Sequence, residues 1–156
     1  MLTYKDSPRK LGADREYTFT GKSFETALPL LQAQMKDRLI AAVGTTPTNT
    51  QWQLRVKHLS GLNAGTEGTL RFGESTLSYT TDAKRHSRTW NLSDIENISS
   101  SGPFELTLST YERSKTHYNS YRAFHFQLKD RIDEGRLQQY WLRLNGPRIA
   151  SKRSGE

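Results

Sequence analysis

Between Trp52 and Leu128, apolar and polar residues alternate in about seven short runs, most of them closed by a turn-forming cluster. Successive side chains of a strand point to opposite faces, so this alternation describes strands with one buried and one wet face. Trp52, Leu54, Val56 and His58 share a face of the first strand, and Leu70 and Phe72 mark the second. After the turn Phe72-Gly73-Glu74-Ser75, a third strand turns Leu77 and Tyr79 inward. A fourth carries Trp90 and Leu92, and a short fifth runs from Ile95 to Ile98. The sixth carries Phe104, Leu106, Leu108 and Thr110, the seventh Phe124, Phe126 and Leu128.

The period then changes from two to that of a helix. Leu137, Tyr140, Trp141 and Leu144 form one apolar stripe, with Asp130 placed to cap the N-terminus and Asp133 and Glu134 suited to the positive end of the dipole. Gly146-Pro147 is the expected stop. Strands followed by one such helix predict a mainly β fold with α: a seven-stranded barrel or sandwich capped by a C-terminal helix, which covers apolar area that short strands leave open. Upstream, Leu28, Leu31, Met35, Leu39 and Val43 recur at helical spacing, with Gly44 as the stop and Pro29 admissible only in the first turn. The predicted organisation is a polar arm over residues 1–20, with a short strand conceivable around Tyr17 and Phe19, and an amphipathic helix within 21–45. The main domain follows over 46–147, and a basic polar tail over 148–156. A chain of 156 residues suits one such domain with flanks.

The seven strands, the closing helix and the stretch Trp90-Asn91-Leu92-Ser93-Asp94-Ile95-Glu96-Asn97-Ile98 resemble a pleckstrin-homology-like domain of bacterial type over roughly residues 51–147. So does the strand-to-helix passage Phe124-His125-Phe126-Gln127-Leu128-Lys129-Asp130. The resemblance implies a module that binds phosphoinositides, peptides or partner proteins. For the lipid-binding subset it implies a lysine in the first strand, matched in type by Lys57, and a basic-x-basic set in the second. There the chain supplies only Arg71, and its first loop, residues 60–67, holds one acid and no base, which argues against a phosphate site of that kind.

Charge points to the partner. The formal net charge is +7, and the basic excess sits in the two tails and in two turn regions, Lys84-Arg85-His86-Ser87-Arg88 and Glu112-Arg113-Ser114-Lys115-Thr116-His117. If those regions share one end of the fold they form a patch; if not, the charge is ordinary solvation. Lys84, Arg85, Arg88, Arg113, Lys115 and Arg122 are the candidate binding residues, for an acidic protein or peptide first and an anionic membrane surface second. An open groove between neighbouring strands and the capping helix would take a peptide by edge pairing.

Other chemistries find little support. With no cysteine, disulfides, thiolate metal sites and cysteine nucleophiles are excluded together. His58, His86, His117 and His125 lack ligand spacing, and the carboxylates read as turn and helix-start residues, so no catalytic residue, metal or cofactor is assigned; an enzyme of unrecognised type is the third reading. Gly21-Lys22-Ser23 imitates the end of a phosphate-binding loop, but position 16, where that pattern needs glycine, is Glu16. Lys115, His117, Tyr118, Tyr121 and Arg122 are the best basic-aromatic cluster for nucleic acid, and it is small. With no leader and no membrane-length apolar run, the default expectation is a soluble cytoplasmic module, or an extracytoplasmic one if the chain is a fragment.

Overall fold

A computed structural model describes residues 2–4, 15–17, 23–35, 39–41, 49–61, 63–118 and 120–155. The alternating region forms seven strands: β4 (Thr50–Ser60), β5 (Asn63–Gly73), β6 (Thr76–Thr80), β7 (Arg88–Asn91), β8 (Ile95–Gly102), β9 (Glu105–Arg113) and β10 (Tyr121–Leu128). They make one antiparallel sheet in the order β7-β6-β5-β4-β10-β9-β8. The first and last strands of the region meet at its centre, where Val56 pairs with Leu128. Upstream, β1 (Leu2–Tyr4), β2 (Arg15–Tyr17) and β3 (Leu39–Ala41) form a separate three-stranded antiparallel sheet, and α1 (Ser23–Met35) lies between β2 and β3 in sequence.

The inner face carries the residues that the alternation selects. Leu54, Val56, Leu70, Phe72, Leu77, Tyr79, Trp90, Leu106, Leu108, Phe124 and Phe126 are all buried in one cluster. The sheet is open, since β7 and β8 are its two edges, yet it curls until its inner face packs on itself. Tyr79 of β6 lies 5.4 Å from Phe126 of β10, and Trp90 of β7 lies 5.0 Å from Phe124, centroid to centroid. Strand twist makes such curling natural, and aromatic rings of this size fill the space it encloses.

The closing helix, α2 (Glu134–Arg153), lies across the end that holds the β5–β6 turn. Tyr140 packs edge-on against Phe72 at 4.9 Å and donates its hydroxyl to the Thr76 carbonyl at 3.1 Å. Leu137 and Leu144 are buried beside it. Two expectations about this helix are corrected. Its cap is Asp133, which accepts from the Arg136 backbone N–H at 3.1 Å, whereas Asp130 is drawn away by Arg55 at 2.8 Å. The helix also continues through Gly146 and Pro147 to Arg153, so residues 148–153 are helix rather than tail. Before the proline the Asn145 amide donates to the Trp141 carbonyl, and beyond it the Arg148 guanidinium donates to the carbonyls of Ile95 and Glu96 on β8. That anchorage offsets the hydrogen bond that proline removes.

Three further differences are local. Phe104 is 48% exposed, because β9 begins one residue later and Phe104 sits in the preceding turn. Trp141 lies at the helix margin, its indole N–H donating to Asn97 at 3.2 Å. The upstream helix starts at Ser23 and ends at Met35, which places Pro29 inside it, and Leu39 to Ala41 are strand; Val43 and Gly44 lie outside the described residues. Within the expected arm, Leu2–Tyr4 and Arg15–Tyr17 are strands.

Gly68 pairs with Val56 and sits against the β6 backbone, so that an added Cβ would run into the Thr80 carbonyl and lie 2.7 Å from the Tyr79 ring. Gly68→Ala should therefore destabilise the domain by about 1–3 kcal/mol through overpacking, read as a lowered urea midpoint at unchanged slope.

Candidate functional site

Antiparallel topology brings three connections to one end of the sheet. The β4–β5 turn follows Ser60, the β6–β7 loop spans 81–87, and the β9–β10 loop spans 114–120. Both predicted basic regions therefore leave the same end of the sheet, and they meet on its inner side, where Arg88 approaches Glu112.

Each loop is built locally. Thr81 and Ser87 close the first, the Ser87 hydroxyl donating to the Thr81 carbonyl at 3.1 Å and accepting from its N–H at 3.0 Å. Arg85 has φ 66°, a left-handed conformation uncommon for a side-chain-bearing residue, and turns the loop at its tip. In the second loop the Ser114 hydroxyl accepts from the backbone N–H groups of Thr116 and His117 at 3.3 and 3.1 Å. The Arg113 guanidinium lies 5.7 Å from the Tyr118 ring centroid.

The six candidate residues divide into two sets. Lys84, Arg85 and Lys115 are exposed, and Arg113 is half-buried under Tyr118. Arg88 and Arg122 instead point into the curled sheet, where both meet Glu112, at 3.7 and 3.4 Å from its Oε2. Each guanidinium also lies about 5 Å from the Phe124 ring, at 5.1 and 5.0 Å. Glu112 is fully buried, and its Oε1 accepts the Trp90 indole N–H at 3.2 Å. Arg88 is thus the first residue of β7 rather than the end of a loop, and Glu112 belongs to β9.

Glu112 is the functional-site residue that sequence reasoning missed, though a signal was there. Leu106, Leu108, Thr110 and Glu112 continue a single period of two into the interior. The register between β9 and β10 shifts at this point, with Tyr121 opposite Arg113 and Arg122 opposite Thr110. A bulge of this kind re-aims side chains beside a site.

His58 lies next to this cluster, half-buried, with its ring 5.2 Å from Phe126, 5.7 Å from Tyr79 and 5.8 Å from Phe124. Burial among these rings, then the positive fields of Arg88, His86, Arg122 and His125, pull its pKa down to about 4. Between the β4 end, β10 and the 114–117 turn lies a cavity of about 520 Å³, lined by His58, Leu59, Lys115, His117, Arg122, Phe124 and His125 among others. Among the described residues no carboxylate lines it. Among the described residues no group of three or more His, Cys, Asp or Glu is arranged to hold a metal, and no helix is long and apolar enough to cross a membrane. Gly21 and Lys22 lie outside the described residues. No protein-family model matches the chain, and no curated protein is significantly similar to it in sequence.

Two predictions follow from the buried groups. Glu112→Ala removes the buried carboxylate that Arg88 and Arg122 share and should cost about 3–5 kcal/mol in urea unfolding, well above the cost of Glu112→Gln. His58 has a folded-state pKa below the ordinary 6.5, so the unfolded chain binds more protons between those values. Stability from neutral His58 is complete above pH 6.5 and is lost as the pH falls toward 4. Discounted for the water-exposed part of the ring, the loss is about 1–2 kcal/mol. His58→Phe should flatten that segment of the stability profile.

Proposed function

We propose that the chain is a non-catalytic binding or scaffold module of pleckstrin-homology-like type, which recognises an acidic protein or peptide through the loop-bearing end of its sheet. The observation that carries this reading is that the 81–87 and 114–120 loops leave the same end of the sheet. They place Lys84, Arg85, Arg113 and Lys115 at one end, where residues 81–88 and 112–122 hold only two acids, Asp82 and the internally paired Glu112. Seven strands in one sheet closed by a C-terminal helix support the family resemblance. The non-catalytic reading is supported by the state of the inward-facing titratable groups. His58 is wedged among three rings, and Glu112 is held by Trp90, Arg88 and Arg122, contacts that suit a structural role better than proton transfer.

One observation favours an anionic membrane surface as the second reading. Tyr118 is 91% exposed at the tip of the basic 114–120 loop, the placement of an interfacial aromatic anchor beside basic residues. The two readings separate in one experiment, with fluorescein-labelled polyglutamate and phosphatidylserine vesicles as probes at low and near-physiological salt. The protein reading expects salt-sensitive polyglutamate binding, weakened about tenfold or more by Lys84→Glu, Arg85→Glu and Lys115→Glu combined. Vesicle binding that is lost in Tyr118→Ser, with no polyglutamate binding, would transfer the assignment to the membrane.

A further inference from the structure

β10 reaches to Tyr121, but its ladder with β4 stops at the pair His125–Leu59. Beyond that pair β4 ends at Ser60 and the chain turns back into β5. Among the described residues, Arg122, Ala123 and Phe124 are paired on one side only, with Thr110, Ser109 and Leu108 of β9. Their other side faces the cavity of about 520 Å³, whose opposite wall is the end of β4. The cavity is therefore a split in the sheet left where β10 runs on past the end of β4, and its walls show both faces of that sheet. Phe124 and Arg122 belong to the inner face along with His58, while Ala123 and Leu59 belong to the outer one.

We infer that this split is a docking site for one short extended segment of a partner protein, with alternating acidic and apolar side chains, that pairs with the backbone of Arg122–Phe124. The inference rests on the proposed function and specifies where and how that partner is taken. A strand entering the gap would send alternate side chains to opposite faces of the sheet. On the inner side it meets Arg122 and His58, with Lys115 and His117 at the rim; among the described residues the lining carries no carboxylate, and the Glu112 carboxylate behind Arg122 is already held by Trp90, Arg88 and Arg122. On the outer side it meets Leu59, 45% exposed, and Ala123. Among the described residues Arg122 has one carboxylate partner, Glu112, at 3.4 Å, and a guanidinium has donors for a second. The edge of β8 suits this role less well, because Arg148 of α2 already occupies the carbonyls of Ile95 and Glu96. The route between strand and capping helix is thus obstructed there, and the β4–β10 split takes its place.

The test is amide-resolved NMR with a pool of capped hexapeptides that alternate Asp or Glu with Val, Ile or Leu. The expected result is slowed exchange and shifted resonances at Arg122, Ala123 and Phe124, with an upward move of the His58 titration midpoint as a carboxylate arrives. Leu59→Glu and Ala123→Glu both change exposed positions, and each should weaken binding about tenfold or more. Thermal unfolding of both variants checks that they fold, and each reports without the other. Binding that shifts only the resonances of Lys84, Arg85 and their neighbours, insensitive to both variants, would overturn the strand-docking site and leave the basic-end reading standing. No shift anywhere would overturn both.

Discussion

The carboxylate of Glu112 ties together strands that the hydrogen-bond ladder keeps apart. β7 is one edge of the sheet and β9 lies next to the other, yet Arg88 and Trp90 of the first reach the same side chain of the second. Arg122 of β10 completes the set, and Phe124 lies against both guanidinium groups. A charge taken out of water is costly unless its partners are well placed, so the arrangement selects one way for the sheet to curl. A polar tie of this kind contributes specificity more than net stability, the stability coming from Trp90, Phe124, Tyr79 and Phe126 packed around it. How near the 81–87 loop comes to the 114–120 loop depends on this closure. If the curl were different, the two basic segments would sit on separate surfaces.

The strands were legible because each obeys a local rule. Alternation alone places Leu54, Val56, Leu77, Tyr79, Leu106, Leu108, Phe124 and Phe126 inward, and all are buried. What sequence could not show was governed by partners distant along the chain. Pro147 and Gly146 carry a strong local stop signal, and it is overridden by Arg148 finding carbonyls 52 and 53 residues away. Asp130 has the composition of a cap but is taken by Arg55, 75 residues upstream, and Asp133 caps instead. Glu112 was hidden for a different reason. Its charge places it with the neighbouring basic residues as loop, whereas its place in the alternation puts it inside.

The candidate site was partly readable on the same grounds. Its residue types were visible in two short basic segments, but whether they met depended on strand order, which no local pattern encodes. Of the six residues selected by charge, Arg88 and Arg122 serve the interior and Lys84, Arg85, Arg113 and Lys115 serve the surface. Charge sign does not distinguish those roles. Position relative to the strand period does, since Arg122 shares its parity with Phe124 and Phe126, and Arg88 with Trp90.

The arginine beyond the helix proline also bears on how copies of this protein behave toward one another. An edge strand displays carbonyl and N–H groups that a strand from another molecule can adopt, which is how sheets grow into fibres. On β8, two of those carbonyls are already engaged by a bulky, charged group from the same chain. An incoming strand would have to displace a guanidinium and strip its water to continue the ladder there. The last turns of the helix therefore obstruct growth of the ladder at the start of β8.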